Sequence, residues 1–409
     1  MRGNRSSMDL APASLRAVLV DLHAHYPMHL IPDAEGHAHT QLARWRTARW
    51  RARLVHLISR AFNYQGPGSG PSVTIELMRQ GRVGVALSVL YTPFDELDLT
   101  VPYGSPPRPG YFQDVLDQLE LVEEEAATHP DAIVVRSGDH LEEALSDGKV
   151  ALVHCIEGGF ALGSTEDEVR ANVEVLAARG VTYVTVAHLF WRRVAANAPA
   201  LPFLPPRIYK LLFPQPAGEG LGALGRAAVE AMSEHGIVVD ITHMNQDSID
   251  ETFEILDARD HGARIPVMSS HGAYRFGDLE YNLSDATVRR IAHHGGVVGI
   301  IACTHYIAHD LRPRRPRTQA DSVSLICRHV DRIAEVTGSF DHVAIGSDLD
   351  GYIKPALPGL EHMGRMGEFQ DRLVERYGPA DAEKLTSGNA LRVLRARFAS
   401  APLGAVAGA

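Results

Sequence analysis

The chain has little cysteine and no cysteine pattern. Its 409 residues include three, Cys155, Cys303 and Cys327, an odd number without a C-x-x-C. Neither a disulfide framework nor a thiolate zinc site is indicated. A basic excess is also missing: 40 Lys and Arg against 50 Asp and Glu give a net charge of −10. Bulk electrostatics therefore offer nucleic acid no reason to bind. Two local basic runs, Arg44–Arg60 and Arg312–Arg317, read as solvated faces or subunit contacts. Long apolar runs are absent too. No segment is long enough to cross a bilayer, and Met1–Leu19 holds no apolar core of signal-peptide length, so a cytoplasmic enzyme is expected.

What remains is ordinary globular composition, 45% hydrophobic and 22% charged. Eight short apolar runs rich in β-branched residues recur: Ala17–His25, Gly84–Thr92, Val150–Gly159, Val181–His188, Ile237–His243, Ile265–His271, Gly296–Ala302 and His342–Asp348. Between them lie helix-spaced stretches such as Glu166–Arg179, Leu224–His235, Ser284–His294 and Ser322–Val336. Eightfold strand–helix alternation predicts an α/β fold whose parallel strands close into a (β/α)8 TIM barrel. A doubly wound open sheet competes, but no G-x-G-x-x-G opens a helix here. Ser164 and Ser284–Asp285 look like N-caps. Insertions follow strand one (Tyr26 to Arg82) and strand four (Ala198–Pro216), on the face where barrels build their sites. The expectation is one barrel domain over 1–409, with its core at about 17–395.

Buried parallel strands should be nearly continuous apolar runs. Several of these end instead on ionisable residues: His23-Ala24-His25, His154-Cys155-Ile156-Glu157, His188, Thr242-His243, Ser270-His271 and Ser347-Asp348-Leu349-Asp350. Residues i and i+2 of a strand share a face, so His23 and His25 project together. A second triplet, His37-Ala38-His39, sits in a polar insertion and reads as exposed loop. His293-His294, His305 and His309 read as surface histidines. Any one strand-end histidine, taken alone, reads as well as a hydrogen-bonded buried residue as it does as a ligand. Several imidazoles and two carboxylates at one barrel end are costly together unless a cation compensates them. Imidazole plus carboxylate suits zinc, and also manganese, cobalt or iron. The number of candidates is better explained by two ions sharing a carboxylate than by one.

The order of these motifs, with Glu157-Gly-Gly, Asp240-Ile-Thr-His, Asn282-Leu-Ser-Asp and Gly346-Ser-Asp-Leu-Asp-Gly, resembles the membrane dipeptidases (renal dipeptidase, peptidase M19), a branch of the amidohydrolase superfamily. The likeness runs from about Val18 to Leu394. It implies a zinc-dependent hydrolase that cleaves a dipeptide or related amide bond with a metal-bridging hydroxide. Carried over by motif, Glu157 would bridge two ions. His23, His25 and Asp348 would complete one site, and His243 and His271 the other. His188 would face the substrate carbonyl, and Asp348 would serve as general base and then acid. Asp350 reads as a turn residue. Two positions depart from the family pattern. His25 stands where the family has Asp, and Tyr281, at the substrate-binding position, replaces an arginine that resembles a carboxylate clamp. Arg275, Arg192 or Arg193 are candidates to replace that clamp. The departures leave two alternatives: another substrate, such as an N-acyl amino acid, lactone or cyclic amide, or a non-catalytic metal-binding barrel. The resemblance also implies a homodimer.

Overall fold

The structure is a computed structural model that describes residues 18–30, 70–96, 98, 101–202, 204–259, 266–351 and 357–400. His37, His39, the run Arg44–Arg60 and most of the first insertion lie outside the described residues.

Nine strands are present among the described residues: β1 (Leu19–Ala24), β2 (Val83–Leu90), β3 (Ala132–Val135), β4 (Val150–Glu157), β5 (Tyr183–Thr185), β6 (Val238–Asp240), β7 (Val267–Gly272), β8 (Val298–Ile300) and β9 (Val343–Ile345). Eight of them form a parallel ring in the order β2-β1-β9-β8-β7-β6-β5-β4, and the β2–β4 ladder closes it. This is the expected (β/α)8 barrel. The ninth, β3, is not among the eight apolar runs. It lies beside the first half of β4, pairing Ala132 with Val150 through Val135 with Val153. The three-residue β5 meets β4 only at Ile156 and Glu157. Strand β3 thus supplies hydrogen-bond partners where β5 does not reach.

Several strands stop short of the runs that announced them. His188, His243 and Asp348 lie beyond β5, β6 and β9. His243 and Asp348 adopt left-handed φ values of 70° and 59°, which takes the chain out of the ladder. Such backbone costs about 1–3 kcal/mol for a non-glycine residue and clusters at functional sites. Gly346 is required by space, because a Cβ there would lie 1.8 Å from the Ser270 carbonyl oxygen.

The helix Glu166–Ala178 is capped by Thr165 rather than Ser164, whose hydroxyl and N–H go to the Glu168 carboxylate instead. Ser284 caps Asp285–His293 as expected. The helix predicted over Ser322–Val336 begins earlier, at Gln319, where Thr318 and Asp321 form a capping box. His294 is buried rather than exposed, its Nε2 lying 3.0 Å from Asp257 Oδ1. The second insertion carries a short helix, Pro206–Leu212. The arginines of 312–317 are exposed, as expected for a solvated face. No described helix is long and apolar enough to cross a membrane.

Candidate metal centre

Strand β1 reads Leu-Val-Asp-Leu-His-Ala, and every residue is buried. Its period sends Asp21 and His23 to the barrel interior, with His25 just past the strand end. On β4 the same alternation turns Cys155 and Glu157 inward and His154 outward, where its Nε2 lies 3.7 Å from Glu123 Oε1. Gly158, at φ 104°, lets the chain turn away directly after Glu157.

Glu157 is the centre of the arrangement. The Nε2 atoms of His23, His188, His271 and His243 lie 3.4, 3.3, 3.3 and 3.7 Å from its Oε1. His25 Nε2 lies 3.4 Å from Oε2. Asp348 Oδ1 approaches His25 Nε2 at 3.1 Å and His23 Nε2 at 3.9 Å. The Nε2 atoms of His243 and His271 are 3.1 Å apart. All seven side chains are buried.

A tetrahedral zinc with ligands at 2.0–2.1 Å separates its donor atoms by about 3.3 Å. The spacings around Glu157 match that value. Among the described residues four groups have donor atoms close enough to share an ion: His23, His25 and Asp348; Glu157, His243 and His271; His23, Asp240 and His271 just beneath them; and the more exposed Asp278, His309 and Asp310 elsewhere. Nitrogen and oxygen donors with no thiolate suit a divalent transition metal. The residues present therefore fit the metals that the motifs imply.

Burial disfavours an ionised Glu157, but the His188 and His23 imidazoles hold its carboxyl well below the usual range. Burial likewise opposes a charged His188, while Glu157 and Glu96 on either side raise it to about 9. Positive charge is what this pocket stabilises, and a bound cation answers the same demand.

Glu96, which sequence reasoning did not single out, ends the short helix Pro93–Glu96 beyond β2. Its Oε2 meets His188 Nδ1 at 2.6 Å and accepts from the Tyr91 hydroxyl at 2.8 Å. Its Oε1 accepts from the backbone N–H groups of Leu189 and Phe190. One carboxylate thus pins both the ring and the loop of His188. Asp240, part of the motif Asp240-Ile-Thr-His but given no role of its own from sequence, lies beneath the centre at the end of β6, wholly buried. An acid inside the apolar run Ile-Val-Val-Asp was the available signal for it.

Tyr281 does not aim its hydroxyl into the centre. The hydroxyl donates to the His271 carbonyl at 2.6 Å, and the ring stacks on Tyr306 at 4.1 Å and meets the His243 ring edge-on at 5.0 Å. Arg275 holds the carbonyls of Asn282 and Glu280. Arg193 holds that of Gly104, and Arg192 donates to the Tyr111 hydroxyl. Asp350 is a tether, accepting the Ser72 and Val73 backbone N–H groups.

Known proteins resemble this chain in sequence and in fold. The sequence matches the family described as Membrane dipeptidase (Peptidase family M19) over residues 15–403. It is 25% identical over 332 residues to an uncharacterised dipeptidase of Schizosaccharomyces pombe, covering 78% of this chain and 70% of that one. It is 26% identical over 330 residues to the dipeptidase aclJ of Aspergillus oryzae, covering 78% and 68%. In fold it is similar to a metallopeptidase from Rhodobacter sphaeroides, solved with a phosphinate mimic of the dipeptide L-Ala-D-Ala. That match has a TM-score of 0.68 and 18% identity, over 93% of this chain and 99% of that one. A barrel closed around buried imidazoles and carboxylates, and a family match over nearly the whole sequence, lead to one conclusion: the chain belongs to the membrane dipeptidase family, peptidase family M19, and is a metal-dependent, dipeptidase-like hydrolase.

Proposed function

We propose that the chain, acting as one barrel domain, hydrolyses a dipeptide or closely related amide at a centre of two divalent cations, zinc in the native protein. The observation that carries this reading is the buried Glu157 carboxylate, with imidazoles facing both of its oxygens. In this reading His23, His25 and Asp348 hold one ion, His243 and His271 hold the other, and Glu157 serves both. Bound there, such ions polarise a carbonyl and bring the pKa of water towards neutrality. Asp348 takes the proton of the attacking water on its carboxylate and returns it to the leaving nitrogen. His188 directs Nε2 at the carbonyl oxygen and stabilises the charge that develops on it, while Glu96 holds its Nδ1.

A second substrate class is favoured by a specific feature. Tyr281, Arg275 and Arg193 are committed to backbone carbonyls and Arg192 to the Tyr111 hydroxyl, which favours a substrate that needs no carboxylate clamp, a lactone or cyclic amide, over an N-acyl amino acid, whose terminal carboxylate is that of a dipeptide. The same reading places the enzyme in the cytoplasm, where its three buried thiols, none of them in a disulfide, stay reduced. It also has the enzyme work as a homodimer, with the exposed Ile208, Leu211 and Leu212 as a contact.

Metal analysis of the purified protein tests the centre, and about two zinc equivalents per chain are expected. One equivalent would overturn the two-ion reading, and none would remove the centre altogether. A substrate panel should begin with L-Ala-D-Ala and include other dipeptides and N-acyl amino acids. Activity should vanish on chelation and return with zinc.

A further inference from the structure

Directly below the proposed ligands, the Asp240 carboxylate accepts five hydrogen bonds. Its Oδ1 takes the Thr242 hydroxyl at 2.6 Å, the Thr242 N–H at 3.0 Å and the Ser270 N–H at 2.9 Å. Its Oδ2 takes the hydroxyls of Thr185 at 2.5 Å and Ser270 at 2.6 Å. A serine hydroxyl has one proton, and a carboxylate only accepts. With that proton given to Asp240, Ser270 Oγ is left as an acceptor. Two imidazole nitrogens face it: His271 Nδ1 at 2.9 Å and His23 Nδ1 at 3.1 Å. His23 Nδ1 also faces the Tyr183 hydroxyl at 2.7 Å, whose own proton goes to the Leu22 carbonyl at 3.0 Å.

We propose that Asp240, acting through Ser270, is a positioning residue that fixes the Nδ1–H tautomer of both His23 and His271. Each ring then presents its Nε2 lone pair to the centre, which is the form a cation requires. One buried carboxylate thereby prepares one ligand in each of the two metal positions. Its purpose rests on the two-ion reading above, but the tautomers themselves do not.

The perturbation that separates this role from plain packing is Asp240→Asn. The two N–H groups at Oδ1 keep the amide oxygen there, so the amide nitrogen faces Ser270 and Thr185. Ser270 Oγ now accepts from Asn and its proton is free to point at an imidazole, which drives that ring to the Nε2–H form and blocks its metal bond.

The test uses the full chain with 15N-labelled histidine, stripped of metal, and long-range 1H–15N spectra that report each ring's tautomer. Ser270→Ala identifies the two rings by the signals it moves. In the wild type both should be Nδ1–H. In Asp240→Asn at least one should switch, and zinc, measured by chelator competition, should bind about 10- to 100-fold more weakly. An Nε2–H ring at either position in the wild type overturns the proposal. So does a folded Asp240→Asn protein with unchanged tautomers and zinc affinity. Should that variant not fold, the wild-type spectrum decides alone, Nδ1–H upholding the proposal and Nε2–H overturning it. A wild-type chain that shows both Nδ1–H rings but binds no zinc would sink the two-ion reading while upholding the tautomer assignment.

Discussion

Glu96→Gln isolates the contribution of the carboxylate behind His188. The substitution preserves length and shape. The amide oxygen can keep the two bonds from Leu189 N and Phe190 N, at 2.8 and 3.0 Å. The amide nitrogen then stands where Oε2 met the Tyr91 hydroxyl and His188 Nδ1, at 2.8 and 2.6 Å. Tyr91 can rotate to accept, but His188 must offer Nδ1 as a lone pair and keep a single proton on Nε2. The ring still faces the reacting oxygen, now as a neutral donor. Bonds with a charged partner contribute about 1.5–3 kcal/mol, against about 0.5–1.5 kcal/mol for neutral ones. The expected loss is therefore about 1–2 kcal/mol of transition-state stabilisation, a fall of about 5- to 30-fold in kcat. KM should change little, because the bond strengthens only as charge develops on the oxygen. Steady-state kinetics on the best substrate of the panel, with zinc content and thermal unfolding as controls, measures this. A folded, zinc-loaded variant with wild-type kcat would refute the role given to Glu96.

Asp348→Asn should lower kcat by about 10²- to 10⁴-fold while much of the metal stays bound, as expected for loss of a general base; near-normal turnover would refute the assignment. Tyr281→Phe removes the bond to the His271 carbonyl but keeps the ring stack, so the urea midpoint should report a loss of about 1 kcal/mol; an unchanged midpoint would show the bond to be without net worth. Glu123 supplies a pH test. Burial would raise its pKa, but His154, Arg136 and Arg179 lower it from 4.5 to about 2. The shift alone corresponds to about 3 kcal/mol, and solvent around this half-buried group reduces it to about 1–2 kcal/mol. Because the folded pKa is depressed, the stabilisation is present above pH 4.5 and is lost as pH falls towards 2. Glu123→Gln should be less stable by that amount at pH 7, with the gap closing between pH 4.5 and 2; a gap that persists at pH 2 would contradict the assignment.

The barrel was legible because each strand, buried on both faces, must be apolar along its length. Departures from that rule marked the places where chemistry sits. Strand period put His23 and His25 on one face at the end of the first strand, whereas Glu157 was given its place only by the family resemblance. Period misjudged His188, His243 and Asp348, which extend past their strands, because left-handed backbone at His243 and Asp348 has no signature in hydrophobic pattern. The surface expectation for His294 failed for a related reason: its partner Asp257 belongs to a different helix.

By itself, then, the sequence determined the architecture and the imidazoles and carboxylates at the strand ends, since both follow from local periodicity and residue chemistry, but not the supporting carboxylates Glu96 and Asp240. Tertiary structure alone decided how those groups are aimed. The Glu96–His188 clamp joins two different strand ends, the Asp240–Ser270 relay spans neighbouring strands, and Tyr281 turns its hydroxyl to a backbone carbonyl. Each is a hydrogen bond between residues distant in the chain, and its direction is set by which donors and acceptors the closed barrel brings together.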